Sequence, residues 1–350
     1  MRAIIIKQWA EISSIWKKIY DNNPAAASFQ SYEFLSFTGK GKSQRKNILR
    51  LAGVKELNVV LYNDDEPVVI APLLVKKQKD GHFVCMRGHF TTADHLDFIY
   101  ADLSYEDIEF LLDGIRNLLG KVTFLFDRVP DRFISCQFFK RYFATTLIEK
   151  HEAYAIPVPA RYEDWFGNLH KSVRQNLRTA MNRIAKDQLA LSTDFYVGTA
   201  VDSKTYNEML SVYADRFLVK NRFNFGPLKT LVKKLLLFIL VRDKASQWLN
   251  KAANNFHAVL LLNNEIAAFA SGLIFKDKRV MLSRLNMLTK YSKYSPGGLL
   301  ISSMVKYFVE QKEAGKLDID IMDLSQGGHK KSSYKISYGG QLYYNYVFYG

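Results

Sequence analysis

Residues 283–300 read Ser283-Arg284-Leu285-Asn286-Met287-Leu288-Thr289-Lys290-Tyr291-Ser292-Lys293-Tyr294-Ser295-Pro296-Gly297-Gly298-Leu299-Leu300: the end of an apolar strand, a turn with two adjacent glycines, and the start of a helix. Glycine has no Cβ, so backbone and ligand can approach closely there. The first turn of the following helix presents unpaired N–H groups and the positive dipole end, which suits a phosphate. Pro296 fits a first helical position, and the same Ser-Pro-Gly also serves as an ordinary turn.

Working outward, Leu300, Met304, Tyr307, Phe308 and Gln311 recur at helical spacing and predict a helix over Leu299–Gln311, which Gly315 can end. The alternation Leu317-Asp318-Ile319-Asp320-Ile321-Met322-Asp323 predicts a strand. It leads to Gln326-Gly327-Gly328, then Ser333-Tyr334-Lys335 and a Gly339-Gly340 turn into Gln341–Tyr349. On the upstream side, Val259–Leu262, an Asn263-Asn264 turn, Ile266–Phe275 and Val280–Met287 read as three successive strands. Further back, Trp165, Phe166, Leu169, Val173, Leu177, Met181 and Ile184 recur every three or four residues and predict one amphipathic helix facing the core. Lys171, Arg174 and Arg178 fall on another face. They form a solvated face or converge on one anionic group.

Taken together, the strand, the Tyr-Ser-Pro-Gly turn, the Leu-Leu helix, the Asp-containing strand, the Gly-rich loop and Tyr334-Lys335 followed by Tyr338-Gly339 resemble the C-terminal half of GNAT-like acyltransferases of the CelD type, associated with cellulose biosynthesis. Ser172-Val173-Arg174-Gln175-Asn176-Leu177-Arg178 is similar to the segment that opens that half. In the N-terminal half, Pro24, Ser28–Phe34, the Val59–Tyr62 and Val68–Val75 strands around a 63–66 turn, Gly88-His89 and Asp94-His95-Leu96-Asp97-Phe98 resemble the family's first part; a plain hairpin and polar loop read equally well.

The resemblance implies two tandem GNAT-like domains, 1–155 and 156–350, with mixed, mainly antiparallel sheets flanked by helices. Pattern alone supports an α/β (α+β) chain with mixed sheets, divided near Ala155-Ile156-Pro157-Val158-Pro159. The resemblance further implies that Met287, Leu288, Tyr294, Ser295, Pro296, Gly297, Gly298, Leu299 and Leu300 bind acetyl-CoA or another acyl-CoA as co-substrate. The acceptor it implies is an amine of a small or saccharide-linked molecule. By place in the chain, Asp323, Tyr334 and Lys335 are the candidates for proton transfer, and Arg174, Arg178, Arg284 and Asp97 for substrate binding. His329 departs from the family pattern in the Gly-rich loop.

Composition bounds these readings. With 350 residues, 48% of them hydrophobic, the chain can bury a large core. No apolar run is long enough for a membrane span, and the N-terminus lacks the features of a secretion signal. Cys85 and Cys136 are the two cysteines, which excludes a disulfide frame and the usual structural zinc spacings; a reducing cytoplasm fits, and no metal is expected. No serine-hydrolase elbow or P-loop lysine motif occurs. Lys40–Lys46 is a basic loop, and Leu228–Val241 an apolar helix. Residues 151–350 hold 28 Lys+Arg against 16 Asp+Glu, so +12 of the net +15 lies in the half with the glycine turn. Such a field steers an anionic ligand: a CoA, a sugar nucleotide or a nucleic acid. Two alternatives follow. One is a Fem-type transferase, which uses tandem GNAT-like domains and a charged tRNA donor; the other is a non-catalytic partner- or RNA-binding protein that stacks on the C-terminal tyrosines.

Overall fold

The computed structural model describes residues 1–38, 53–89, 93–220, 228–326 and 333–350. Gly327, Gly328 and His329 of the Gly-rich loop and the basic Lys40–Lys46 stretch lie outside the described residues. The chain divides into two compact units, Met1–Ala153 with Tyr343–Gly350, and Tyr154–Leu342.

The first unit contains β1 (Arg2–Lys7), α1 (Ser13–Asn22), α2 (Tyr32–Thr38), β2 (Val54–Asn63), β3 (Glu66–Gln78), β4 (Gly81–Met86), β5 (Ile99–Tyr100), α3 (Tyr105–Leu119), β6 (Val122–Pro130) and α4 (Ile134–Tyr142). The division falls within β7 (Leu147–Pro157). The second unit continues with α5 (Tyr162–Asn168), α6 (Lys171–Lys186), β8 (Leu191–Val197), α7 (Ser203–Lys220), α8 (Lys229–Arg242), α9 (Lys244–Lys251), β9 (Asn255–Leu262), β10 (Glu265–Ile274) and β11 (Arg279–Met287). A 3-10 turn, Thr289–Tyr294, leads to α10 (Pro296–Glu313), β12 (Ile321–Gln326) and α11 (Ser333–Ser337), and β13 (Gln341–Tyr349) ends the chain.

In the first unit the strand order is β1-β2-β3-β4-β6-β13, with β5 beside β3. In the second it is β12-β11-β10-β9-β8. Hairpins make most of these pairings antiparallel. Their turns, Asp64-Asp65 and Asn263-Asn264, carry two consecutive positive φ angles, which short Asp and Asn side chains tolerate and which match the twist of the strands they join. Within the two units β4 pairs parallel with β6 and β11 with β12, and in both the intervening chain includes a long helix, α3 or α10.

The second unit's sheet is covered on both faces, so its strands are apolar on both sides. Phe256, Ala258, Leu260 and Leu262 of β9 join the core formed with Val173, Leu177 and Ile184 of α6 and Leu300, Met304 and Phe308 of α10. Val259 and Leu261 turn the other way, toward Tyr206, Met209 and Val212 of α7 and Leu237 and Leu240 of α8. Each fully buried large apolar side chain on α10 contributes roughly 1.5–3 kcal/mol.

Four expectations need correction. The stretch read as one helix over Trp165–Ile184 is two, α5 and α6: Leu169 is extended and His170 caps the second helix, its side chain accepting from the Ser172 N–H. Met181 lies outside the core, 46% exposed, while Leu177 and Ile184 are buried. The strand expected over Leu317–Asp323 is shifted to Ile321–Gln326, because Asp318 and Asp320 turn outward into ion pairs with Lys278 and Lys312. Finally, Tyr343–Gly350 does not belong with residues 156–342: β13 pairs antiparallel with β6, Tyr346 opposite Val129 and Phe348 opposite Phe126. Phe348 is fully buried there against Phe139 and Phe143.

Candidate functional site

The parallel pairing of β11 with β12 covers three residues, Arg279–Met281 against Ile321–Asp323. Beyond that register β11 runs on to Met287 and β12 to Gln326 without pairing to each other. Two strands that part leave backbone N–H and C=O groups unpaired along the inner edge of β11, a template for an extended ligand.

Two side chains hold this parting. Asp323 is fully buried; one carboxylate oxygen accepts from Arg279 Nη1 at 2.6 Å and the other from the Ser325 N–H at 2.8 Å. Lys335 is also buried, and its Nζ donates to the carbonyls of Leu324, Ser325 and Gln326 at 2.5, 2.8 and 2.8 Å. Ser325 itself sits at φ 60°, in the left-handed region, so the chain kinks where β12 leaves β11. Two of the three expected proton-transfer residues, Asp323 and Lys335, are therefore occupied in fixing the end of β12 and do not line the cavity described next, whereas the third, Tyr334, does.

A cavity of about 360 Å³ opens where β11 and α10 diverge. Leu285, Asn286 and Met287 line it from β11, and Ser292, Ser295, Gly297, Gly298 and Ile301 from the turn and the first helical residues. Tyr334 and Tyr338 close another side, and Arg216 reaches in from α7. Among these lining residues Arg216 is cationic and none is acidic.

The start of α10 is shaped for an anion. Ser295 takes the left-handed conformation (φ 46°) and makes no side-chain cap. Pro296 has no N–H, and the Gly298 and Leu299 N–H groups both donate to Ser295 O. That leaves the Gly297 N–H as the donor without a place in the helix, at the positive end of the dipole. A Cβ at Gly297 would meet only Met287 Sδ, at 3.6 Å, whereas one at Gly298 would run into the Tyr338 hydroxyl. Gly297 therefore keeps the cavity open, and Gly298 lets Tyr338 pack against the helix. Trp165 Nε1 donates to Tyr338 O at 3.0 Å and fixes that tyrosine's backbone.

Desolvation raises the pKa of both phenols; at Tyr334 the Arg216 cation opposes the shift. Both hydroxyls are protonated donors at neutral pH.

The other expected site residues lie elsewhere. Tyr294 is buried and donates to Asp187 Oδ2 at 2.6 Å; Pro296, Leu299 and Leu300 are buried beneath the turn. Leu288 packs on the opposite face of the sheet, near Val212. Arg174 donates to Gly167 O, and the Arg178 guanidinium lies over Phe166 at 5.6 Å, so both serve the α5–α6 corner. Arg284 joins a polar cluster with Ser246 and Tyr206 on the α7 side. Asp97 belongs to the first unit, where it is buried and accepts from the Phe98 N–H at 2.8 Å and the Tyr100 hydroxyl at 3.0 Å. Burial pushes its pKa up to about 7 against the hydrogen bonds that lower it.

Sequence reading missed Arg216, Asn286 and Ser292. Arg216 had no local signal, being one of several charges on a helix that touches several elements. Tyr338 was quoted as part of the aromatic-Gly pair but given no role.

No family model and no curated protein matches the sequence. Similarity to solved structures is extensive. The chain is similar to the crystal structure of FemX with a TM-score of 0.53 at 11% identity, over 99% of this chain and 97% of that one. It is also similar to L-PGS from Bacillus licheniformis, with a TM-score of 0.51 at 12% identity over 96% and 90%. A conserved protein of unknown function from Bacteroides thetaiotaomicron VPI-5482 gives 0.50 at 12% identity over 99% of both chains. At these identities the likeness is one of fold, and the chain has a tandem GNAT-like α/β fold over its full length.

Proposed function

We propose that this protein is an acyl-CoA-dependent N-acyltransferase whose donor binds in the Tyr154–Leu342 unit. The observation that carries the reading is the parting of β11 from β12 beside an uncapped, glycine-opened helix. A pantetheine arm is an extended chain with amides, and the unpaired edge of β11 offers it strand-like hydrogen bonds. The pyrophosphate then meets the Gly297 N–H and the α10 dipole. Arg216 supplies positive charge in a cavity with no acidic lining residue among those described.

In such a reaction the acceptor nitrogen attacks the thioester carbonyl, a C–N bond forms, the C–S bond breaks, the nitrogen gives up a proton and the leaving thiolate takes one up. Alignment of the two reactants accounts for most of the gain, and no covalent enzyme intermediate is needed. Tyr334 and Tyr338 line the cavity, and in this reading one of their hydroxyls gives a proton to the thiolate and recovers, through solvent, the one the nitrogen gives up. Arg279 and Asp323 act by tying β12 to β11 at the paired end, and Lys335 by holding the kinked end of β12 beyond it. The acceptor is an amine of a small or saccharide-linked molecule, following the CelD resemblance.

The net +12 of residues 151–350 and the likeness to FemX support a second donor, a charged tRNA, as Fem-type transferases use. Calorimetric titration separates the two. Saturable binding of acetyl-CoA or a longer acyl-CoA, abolished by Gly297→Trp in a variant that unfolds at the wild-type temperature, supports the acyl-CoA reading. Salt-sensitive binding of bulk tRNA with no heat from either CoA overturns it in favour of the Fem-type donor.

A further inference from the structure

Helix α8 is apolar on two sides. Leu237, Leu240 and Val241 pack inward, against the core that contains Tyr206, Met209 and Phe269. Leu228 at the N-cap, then Leu231, Leu235 and Phe238, point outward and are 58, 65, 58 and 50% exposed. Their spacing of three, four and three residues aligns them in one stripe along the helix. Single exposed apolar side chains are ordinary, but a continuous stripe of large ones marks a contact surface, and a helix apolar all round is one that is covered on both sides.

Charge indicates what covers it. The helix sequence, KTLVKKLLLFILVR, contains four basic residues and no acidic one. Lys233 faces Asp215 of α7 at 3.7 Å, while Lys234 and Arg242 are exposed along the stripe. The Arg242 guanidinium lies 3.7 Å from the centre of the Phe238 ring, so a cation sits directly against the apolar surface. Leu and Phe side chains edged by Lys and Arg fit the boundary between acyl chains and headgroups of an anionic bilayer, with the cations on lipid phosphates. A second copy of this chain would instead bring two basic faces together. At 14 residues the helix is about 21 Å long, against a hydrocarbon core of about 30 Å, so it lies on the surface and does not cross. No described helix is long and apolar enough to span a membrane.

We propose that the outer face of α8 docks this protein on a membrane surface rich in anionic phospholipid. The inference is independent of the donor bound by the cavity. The test is co-sedimentation of the full chain with vesicles of mixed phosphatidylglycerol and phosphatidylcholine, and with pure phosphatidylcholine, at low and high salt. Binding to the mixed vesicles only, weakened by salt, is expected. Lys234→Ala should reduce partitioning about fivefold, since each basic side chain near such a surface contributes about 1 kcal/mol. The double variant Leu231→Asp with Phe238→Asp should abolish partitioning while its thermal unfolding stays at the wild-type temperature, both side chains being at least half exposed. Equal binding to pure phosphatidylcholine, undiminished binding of Lys234→Ala, or no binding to either vesicle overturns the proposal. A wild-type dimer in light scattering that Leu231→Asp converts to monomer also overturns it, assigning the stripe to a second copy.

Discussion

In the first unit β4 and β6 run parallel with α3 between them in the chain, and in the second β11 and β12 do so around α10; the two helices begin in opposite ways. Ser104 caps α3 by accepting from the Asp107 N–H at 3.1 Å, and the Asp107 carboxylate accepts from the Ser104 N–H at 3.2 Å. Glu106 and Asp107 add negative charge to that first turn. The helix thus satisfies its own orphan donors and repels an anion. At α10 the corresponding positions are Ser295 in a left-handed conformation, Pro296, Gly297 and Gly298, with no side-chain cap and no acid. The same crossover is closed chemically in one unit and left open in the other. The proposed donor site lies in the unit whose helix start is left open.

The buried carboxylates differ in parallel. Asp323 has a cation in contact, whereas Asp97 is held by a backbone N–H and hydroxyls, with Arg132 acting at longer range. Arg279→Ala should break the comparison hardest. It leaves Asp323 buried without its cation and should cost about 3–5 kcal/mol in chemical denaturation. A loss below about 1 kcal/mol would show that the pair does not hold β12.

Asp97 should show its contrast through pH. Its folded pKa of about 7 lies above the unfolded value near 3.8, so the folded state binds more protons between those values. The stabilisation is complete below about pH 4 and is lost as pH rises through about 7, a swing of roughly 4 kcal/mol at most. Denaturation midpoints from pH 4 to 8 should follow that slope, and Asp97→Asn should flatten it. A wild-type profile already flat there would remove the buried-acid account.

Gly297→Asp makes α10 resemble α3 by placing a carboxylate in its first turn. Acyl-CoA affinity should fall about 100-fold, since like charges placed together cost several kcal/mol. The fold should persist, because a Cβ at that position meets only Met287 Sδ. Unchanged affinity would dissociate the helix start from donor binding. Ser104→Ala is the smallest and most local change. It should cost about 1 kcal/mol through the lost cap and leave acyl-CoA affinity alone; a drop in affinity would tie the first unit to the ligand.

Much of the fold was legible because its signals are local. The Asn263-Asn264 and Asp64-Asp65 turns announce their hairpins through residue types that accept positive φ. Periodicity located α10 and the core face of α6. Periodicity also misled: apolar spacing continues from Trp165 to Ile184 across the His170 break, since side chains of two short helices can share one core. The Leu317–Asp323 alternation likewise counted Asp318 and Asp320, which serve surface ion pairs, as strand residues. The candidate cavity was legible at its glycines and not at its charge. Nothing near Arg216 marks it, and Asp323, conspicuous at the end of a predicted strand, is paired with Arg279, 44 residues earlier.

The sequence by itself determined the strand-glycine-helix unit, the uneven distribution of positive charge and the apolar character of α8. Each depends on residues within a few positions of one another or on a sum over the chain. Tertiary structure alone decided which turn residues face the cavity and which lie beneath it, that Asp323 and Lys335 clasp the end of β12, and that the last strand returns to the first unit. Those outcomes depend on contacts between residues far apart in sequence, where burial and pairing override local preference.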